Sequence, residues 1–423
     1  MLTGMERIKQ LVAKHPERKL QTLMHLVNET TIKEMHKMQE KGKASGVDEV
    51  TKTEYEKQLS ENAADLIARM KTFSYKPQPV RRVYIEKEGS DKLRPLGIPA
   101  YEDKLVQGVI GEILGTIYEP KFYDFSFGFR PGRGCHDAVK YLRGKLMGKT
   151  NWVVDADIKG FFDNVDHEWM MKFLGHEIAD ENLLRYIKRF MKAGVMEAGV
   201  YAGTETGVPQ GGSCSPVMAN VYLHYVVDKW FDVRVTRESR GECAMVRYAD
   251  DAVFCFQYES DARAFYGKLK ERLGGFGLEL SEEKSKIVKF GRYAGNDAGE
   301  FDFVGFTFYG GASRGGKYIV KCRTSEKKLK AKRAKVKKWM RANMHTPVKE
   351  LIAKLNVRLR GHYNYYGLSH NWGKLRAFFE YVQYTLYKTL RRRSQKKEMN
   401  WERFNKVLKF EPLLRPTITV PLW

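Results

Sequence analysis

With 423 residues and 43% hydrophobic content, the chain is long enough for two or three domains and too apolar to be disordered. Its 75 Lys and Arg against 51 Asp and Glu give a net charge of +24, which points to a polyanionic partner, either nucleic acid or an anionic membrane. The N-terminus, Met1-Leu2-Thr3-Gly4-Met5-Glu6-Arg7, has no apolar signal core and no run is long enough to span a bilayer, which favours nucleic acid.

In chain order, the first strongly patterned element is Asn151-Trp152-Val153-Val154-Asp155-Ala156-Asp157-Ile158, an apolar strand with acids at alternate positions. Phe161-Phe162-Asp163 follows, and Asn164 and Asp166 are alternative caps for a helix that begins near Glu168. Next, Ala244-Met245-Val246 and Ala252-Val253-Phe254-Cys255-Phe256 flank Tyr248-Ala249-Asp250-Asp251, the pattern of strand, tight turn, strand. Two adjacent carboxylates at a hairpin tip are costly unless something neutralises them, and a divalent cation is the usual answer. Five cysteines (135, 214, 243, 255, 322) are odd in number and show no C-x-x-C spacing. Neither a zinc site nor a disulfide framework is expected, which fits a reducing cytosol.

Gly310-Gly311-Ala312-Ser313-Arg314-Gly315-Gly316 predicts a turn or hinge that closes this mixed α/β body. Beyond it, Ser325 to Met344 carries a sparse apolar stripe (Leu329, Val336, Trp339, Met340) in a lysine-rich surface, and Trp372 to Arg393 repeats the theme with Leu375, Phe378, Phe379, Val382, Leu386 and Leu390. From Lys321 to Asn400 there are 23 Lys and Arg against four Glu and no Asp, so +19 of the net charge sits in 80 residues. A merely soluble helix mixes both signs for i,i+4 pairing, so the near absence of acids here argues for nucleic-acid contact. Two-metal nucleotidyl transfer needs carboxylates from separate strands of one sheet. An acid on one strand and a doublet on a hairpin supply that set, and together they read as the palm of a polymerase.

At this level of detail the chain resembles the group II intron-encoded reverse transcriptase/maturases over most of its length. Gly42-Lys43-Ala44-Ser45-Gly46-Val47-Asp48 resembles the family's N-terminal extension motif, and Arg81 to Lys87 with Leu93-Arg94-Pro95-Leu96-Gly97-Ile98-Pro99 its fingers hairpin. Phe127-Gly128-Phe129-Arg130-Pro131-Gly132-Arg133 and Asp157-Ile158-Lys159-Gly160-Phe161-Phe162-Asp163 are similar to the next two blocks. Pro209-Gln210-Gly211-Gly212-Ser213-Cys214-Ser215-Pro216, Leu278 to Val288 and Phe303-Val304-Gly305-Phe306 resemble later palm motifs, and Arg360-Gly361-His362-Tyr363-Asn364-Tyr365-Tyr366 the maturase thumb signature.

The resemblance implies an α+β right-hand polymerase fold. Its parts would be an N-terminal extension and start of fingers (1–80), fingers (81–150), an antiparallel-sheet palm (151–310), a helical thumb or maturase domain (311–393) and a short extension (394–423) with Trp401 and Phe404 on a short helix. It implies RNA-directed DNA synthesis and assistance to intron splicing, with splicing support alone, or a domesticated role in defence or repair, as the alternatives. Asp157, Asp250 and Asp251 are the expected catalytic carboxylates, holding two Mg²⁺ (Mn²⁺ can substitute) together with Ile158. Asp157 is preferred to Asp155 and Asp163 because Phe162 lies five residues on, as the family motif requires.

Phe162 is expected to exclude a ribose 2′-hydroxyl, with plain core packing as its other role. Lys87 and Arg94, flanking Glu88-Gly89-Ser90-Asp91, are expected to grip the triphosphate. Gln210 and Gly211 let backbone approach the nucleotide, and Lys284 protonates departing pyrophosphate or is simply an exposed loop lysine. Arg130, Phe303, Gly305, Lys332, Arg333 and Lys337 face template or primer. The partners implied are structured intron RNA, an RNA template with a DNA or RNA primer, dNTPs and target DNA, with no membrane, in a bacterial cytoplasm close to the nucleoid. After Arg393-Ser394-Gln395 only about 30 residues follow, without cysteine or histidine. The metal-dependent endonuclease of many members is therefore not expected. This resembles the compact class C form, which would take its primer from elsewhere.

Overall fold

The computed structural model describes residues 2–86, 93–393 and 399–422. Two compact units divide the chain: Met1–Glu86, Lys92–Ala138 and Val154–Ile287 form one, and Lys87–Asp91, Val139–Val153 and Val288–Trp423 the other.

The first unit is organised around the helix Tyr101–Tyr118, whose Leu105, Val106, Val109, Ile110, Ile113 and Leu114 are fully buried. A surface helix shows one apolar stripe, whereas this one is apolar nearly all round, as a core helix must be. The strands over residues 80–289, of which β3 and β8 each lie partly in the second unit, are β1 (Val80–Glu86), β2 (Leu93–Ile98), β3 (Trp152–Asp157), β4 (Val195–Glu197), β5 (Val200–Ala202), β6 (Cys243–Tyr248), β7 (Asp251–Phe256) and β8 (Lys286–Lys289). One sheet runs β2-β1-β4-β5 and another β6-β7-β3-β8. β1 and β2 are antiparallel, with Ile85 opposite Arg94. β6 and β7 form the expected hairpin, with Tyr248 opposite Asp251. The helix after β3 is His167–Glu177, and of the two candidate caps it is Asp166 that accepts from the amide of Trp169, at 2.8 Å.

The second unit has a three-stranded antiparallel sheet, β9 (Phe301–Phe303), β10 (Phe306–Ala312) and β11 (Tyr318–Thr324), in the order β11-β10-β9. The glycine-rich stretch is a turn and not a hinge: the Gly316 amide donates to the Ser313 carbonyl at 3.1 Å and the Ser313 amide to the Lys317 carbonyl at 2.8 Å, closing the β10–β11 hairpin. Gly310 and Gly311 pair with Val320 and Ile319 inside the β10–β11 hairpin, and the division between units falls at Ile287 and Val288. Helices Glu326–Ala342, Val348–Tyr366, Trp372–Arg391 and Trp401–Phe410 follow. The predicted stripe of the third packs inward through Leu375, Phe378, Val382, Leu386 and Leu390, and Phe404 anchors the last helix. The five cysteines are all free. No helix among the described residues is long and apolar enough to cross a membrane.

His362 is the conspicuous polar group in this core. It is 5% exposed, stacks on Phe378 with ring centroids 4.0 Å apart, and neither ring nitrogen has a hydrogen-bond partner among the described residues. Burial pushes its pKa from 6.5 down to about 3, and the charge of Lys332 adds to the shift. Below pH 6.5 the unfolded chain takes up a proton that the folded chain refuses. Stability therefore falls with pH across that window, by about 1.4 kcal/mol per unit for this group. Unfolding free energies at pH 7 and pH 5 are expected to differ by about 2 kcal/mol less in His362→Phe than in wild type, and equal differences would refute this.

Candidate active site

The hairpin turn is the centre of the site. β6 and β7 are joined by Ala249 and Asp250 alone, and Ala249 has φ +57, a positive value at the first central position as a type II′ turn requires. A non-glycine residue in that region carries strain, which is tolerated where surrounding structure imposes it. Gly128 is part of what imposes it: a Cβ there would lie 2.1 Å from the Ala249 amide nitrogen. Only glycine lets the 127–129 segment lie against the turn.

Asp157 ends β3, the strand next to β7. Its amide donates to Ser285 Oγ at 3.1 Å, its carbonyl accepts from the Ser281 amide at 2.8 Å, and Lys284 Nζ sits 2.5 Å from its Oδ2. Ile158 bridges Leu280, and the two bonds closing that bridge belong to its neighbours Asp157 and Lys159. The Ile158 carbonyl is thus not used there. Burial raises the Asp250 carboxyl above its ordinary value and the charge of Asp157 raises it further, while its own backbone amide, Arg94 and Arg247 hold it down. Asp251 begins β7 beside it, half-buried.

No three His, Cys, Asp or Glu side chains among the described residues already converge on a metal ion. The donor chemistry nonetheless fits a divalent cation. The charge of Asp157 opposes ionisation of Asp250, and Lys284 is the cation lying on Asp157. Such a pair is stabilised by a bound cation.

The first unit holds a cavity of about 380 Å³, lined by Arg82, Tyr84, Gly97, Phe162, Gly207 and Gln210 among others. Phe161 and Phe162 separate as sequence reasoning divided them. Phe161 is buried, whereas Phe162 is half-buried and faces the cavity. The Phe162 backbone is fixed by a 2.7 Å bond from the Val208 amide to its carbonyl. Gly207, which sequence reasoning missed, makes this possible. It has φ +90, and a Cβ there would meet the Asp163 and Phe162 carbonyl oxygens at 2.9 and 3.0 Å.

Other candidates fall elsewhere than expected. Gly211 is required by the fold: at φ +117, a Cβ would lie 2.6 Å from the Gly97 carbonyl oxygen. The Gly97 amide donates to the Gln210 carbonyl at 2.6 Å, so this loop is sewn to β2. Arg130 is turned inward. Its guanidinium donates to the Tyr123 and Ser126 carbonyls at 2.6 and 2.7 Å and to Glu119 at 3.0 Å, and those acceptors hold it away from any strand. Its neighbour Phe129, 52% exposed with φ +59, is the side chain that segment presents. Lys284, expected near pyrophosphate, is clasped to Asp157. Arg94 stands exposed on β2, close enough for its charge to be felt at Asp250. Lys87 lies outside the described residues.

In the second unit, Val304 (φ +43) and Gly305 (φ +83) make the two-residue turn between β9 and β10, both positive as in a type I′ turn. The Tyr365 hydroxyl donates to the Val304 carbonyl at 2.9 Å, and the Ser325 amide donates to the Gly305 carbonyl at 3.1 Å. Phe303 is buried in this packing, so the turn's backbone, not that ring, is what it offers. Lys337 is exposed and Lys332 half-buried. Arg333 is directed at the neighbouring helix, bonded to the Ala377 carbonyl at 3.3 Å and lying over the Tyr381 ring.

Two family models match the chain: "Reverse transcriptase (RNA-dependent DNA polymerase)" over residues 85–308, and "Group II intron, maturase-specific domain" over 329–407. The group II intron-encoded protein LtrA of Lactococcus lactis subsp. cremoris is 38% identical over 246 residues, which are 55% of this chain and 41% of that protein. Protein YkfC of Escherichia coli is 33% identical over 276 residues, covering 57% of this chain and 71% of that one. An uncharacterised protein of the cob intron in Schizosaccharomyces pombe is 27% identical over 383 residues, covering 75% and 47%. The chain thus spans well under two thirds of the Lactococcus protein. With both family models aligned in order along it, the chain belongs to the reverse transcriptases, as a group II intron-encoded reverse transcriptase/maturase.

Proposed function

We propose that the chain is an RNA-directed DNA polymerase that copies intron RNA and also binds that RNA to assist splicing. The observation that carries the first half is that Asp157 ends β3 while Asp250 sits in the turn leading into the neighbouring strand β7, where the Asp157 charge opposes its ionisation. Reverse transcriptases generally use divalent metal ions. Here Asp157, Asp250 and Asp251, with the Ile158 carbonyl, would hold two Mg²⁺, which supply activation of the primer hydroxyl and charge neutralisation on the phosphates.

The chain's own residues do the rest. Arg94 stands where a guanidinium can bind the triphosphate, and Lys87 is proposed as its companion. Phe162 shapes the sugar side of the cavity, and the Gln210 side chain lines its wall. Lys284 supplies positive charge at Asp157 when no other cation is there, and its release would free it to meet the leaving group. Template and primer are held through backbone contacts, with the 303–306 turn and Lys332 and Lys337 on the basic helix facing them. Such binding weakens steeply with salt.

The maturase half rests on the match over 329–407 and on the +19 concentrated from Lys321 to Asn400. Primer extension on an RNA template with Mg²⁺, dNTPs against NTPs, tests the first half. Extension with dNTPs alone is expected. A folded protein that extends with neither, yet still binds structured intron RNA, would leave splicing support as the function.

A further inference from the structure

We propose that Arg247 is a positioning residue that fixes the turn carrying Asp250. Its guanidinium is 1% exposed and its partner Asp228 is 0% exposed, and every one of its five N–H donors is engaged. Nε donates to Asp228 Oδ1 at 2.8 Å, and Nη2 to Asp228 Oδ2 at 2.6 Å and to Ser126 Oγ at 2.8 Å. Nη1 donates to Asn220 Oδ1 at 3.0 Å and to the Ala249 carbonyl at 2.9 Å. The last bond is the functional one, because Ala249 is the strained residue immediately before Asp250.

Stability alone does not account for this arrangement. A buried ion pair is often no better than apolar packing of the same volume, and its gain is orientation. A two-residue hairpin tip has no cross-strand bonds of its own and is the softest point of the hairpin. Here it is held from two sides. Arg247 takes the Ala249 carbonyl, and the Gly128 backbone lies against the Ala249 amide. Asn220 ties the two holds together, accepting from Arg247 and donating through Nδ2 to the Gly128 carbonyl at 2.7 Å. The main chain of Arg247 is locked as well: its amide donates to the Phe125 carbonyl, and its carbonyl accepts from the Phe127 amide, both at 2.8 Å. The turn is thus pinned to a rigid fork rooted in Asp228, so the Asp250 carboxylate starts each cycle in one place.

This rests on reading Asp250 as a metal-holding carboxylate, and the test separates the two. Arg247→Lys keeps the charge but, with donors at a single point, cannot span Asp228, Asn220, Ser126 and Ala249. A displacement of about 1 Å at a reacting group costs on the order of a hundredfold. Arg247→Lys is therefore expected to lower kcat for primer extension about 30-fold or more and to weaken Mn²⁺ binding, read by electron paramagnetic resonance on the full chain, about tenfold. The KM for dNTP and the Kd for primer–template should stay within about threefold.

Arg272→Lys is the comparison, since Arg272 bonds the Val226 and Tyr225 carbonyls at 2.9 and 3.1 Å, away from the turn. It should lower the melting temperature while leaving kcat and Mn²⁺ affinity within about twofold. If Arg247→Lys melts lower but keeps wild-type kcat and Mn²⁺ affinity, Arg247 is a core strut and the proposal is overturned. If the wild type extends no primer, the polymerase reading fails, and the Mn²⁺ titration still decides the positioning role. Should Arg247→Lys not fold, Asn220→Ala withdraws the acceptor of Arg247 and the donor to Gly128 and is expected to cost about fivefold in both readouts. No change there overturns the proposal.

Discussion

Asp250→Asn is expected to reduce primer extension by about a thousandfold or more while the protein stays folded and keeps its grip on RNA. The amide fills the same volume at the hairpin tip, so the β6–β7 register and the Ala249 turn have no reason to change. What changes is charge. In the wild type, burial and the neighbouring Asp157 both oppose ionisation of Asp250, and a bound divalent cation relieves that opposition. The variant has less repulsion to relieve and one fewer anionic ligand. Its melting temperature without added metal should equal or exceed that of the wild type, and adding Mg²⁺ should raise the wild type's melting temperature more than the variant's. RNA affinity should stay within about twofold, since the basic second unit is untouched. Extension above a tenth of the wild-type rate would remove Asp250 from the metal site. A melting temperature several degrees lower would instead show the carboxylate to be structural.

The features legible in the sequence are those set by local patterning. Apolar runs on either side of Tyr248 to Asp251 allow little but a hairpin, and the hairpin is there. The different burial of Phe161 and Phe162 also follows from local patterning, since the two lie on one short 3-10 turn, Phe161–Asp163, whose successive side chains point in different directions. What the sequence concealed depends on where distant segments lie. Arg130 and Arg247 are both arginines beside aromatic residues. Nothing nearby in the chain says that one ends on Glu119 and two carbonyls, and the other on Asp228, partners 11 and 19 positions away.

Glycines misled in the same way. Gly310 and Gly311 suggested a hinge because glycine permits bends, but it is equally at home in a strand whose neighbours crowd it. Tyr318 and Lys321 do so here. Gly211 was expected either to let backbone approach a nucleotide or to serve a structural turn, and its close approach to the Gly97 carbonyl supports the turn. The residues that shape the site through backbone approach, Gly128 and Gly207, are identifiable only once the segment they touch is in place.

Phe162→Ala is expected to cut discrimination between dNTPs and NTPs by about a hundredfold, mainly by raising kcat/KM for NTPs. Phe162, five residues after Asp157, lines the 380 Å³ cavity, and its ring cannot easily move aside. Its carbonyl is bonded to Val208, its neighbour Phe161 is buried against Tyr222, and the two rings meet edge to face at 5.3 Å. A rigid wall rejects a substrate by steric clash more strongly than a pocket rejects one for lacking a methylene, because nothing relaxes to admit the extra oxygen. Removing the ring opens that space without withdrawing any group that binds phosphate. Use of dNTPs should therefore fall by less than about tenfold. If Phe162 were ordinary core, the alanine variant would lose stability, by about 3 kcal/mol or more for a fully buried ring, with the dNTP-to-NTP ratio unchanged. Its partial exposure argues for a smaller loss, so measuring the nucleotide ratio and the unfolding free energy on the same variant distinguishes a wall of the site from a piece of the interior.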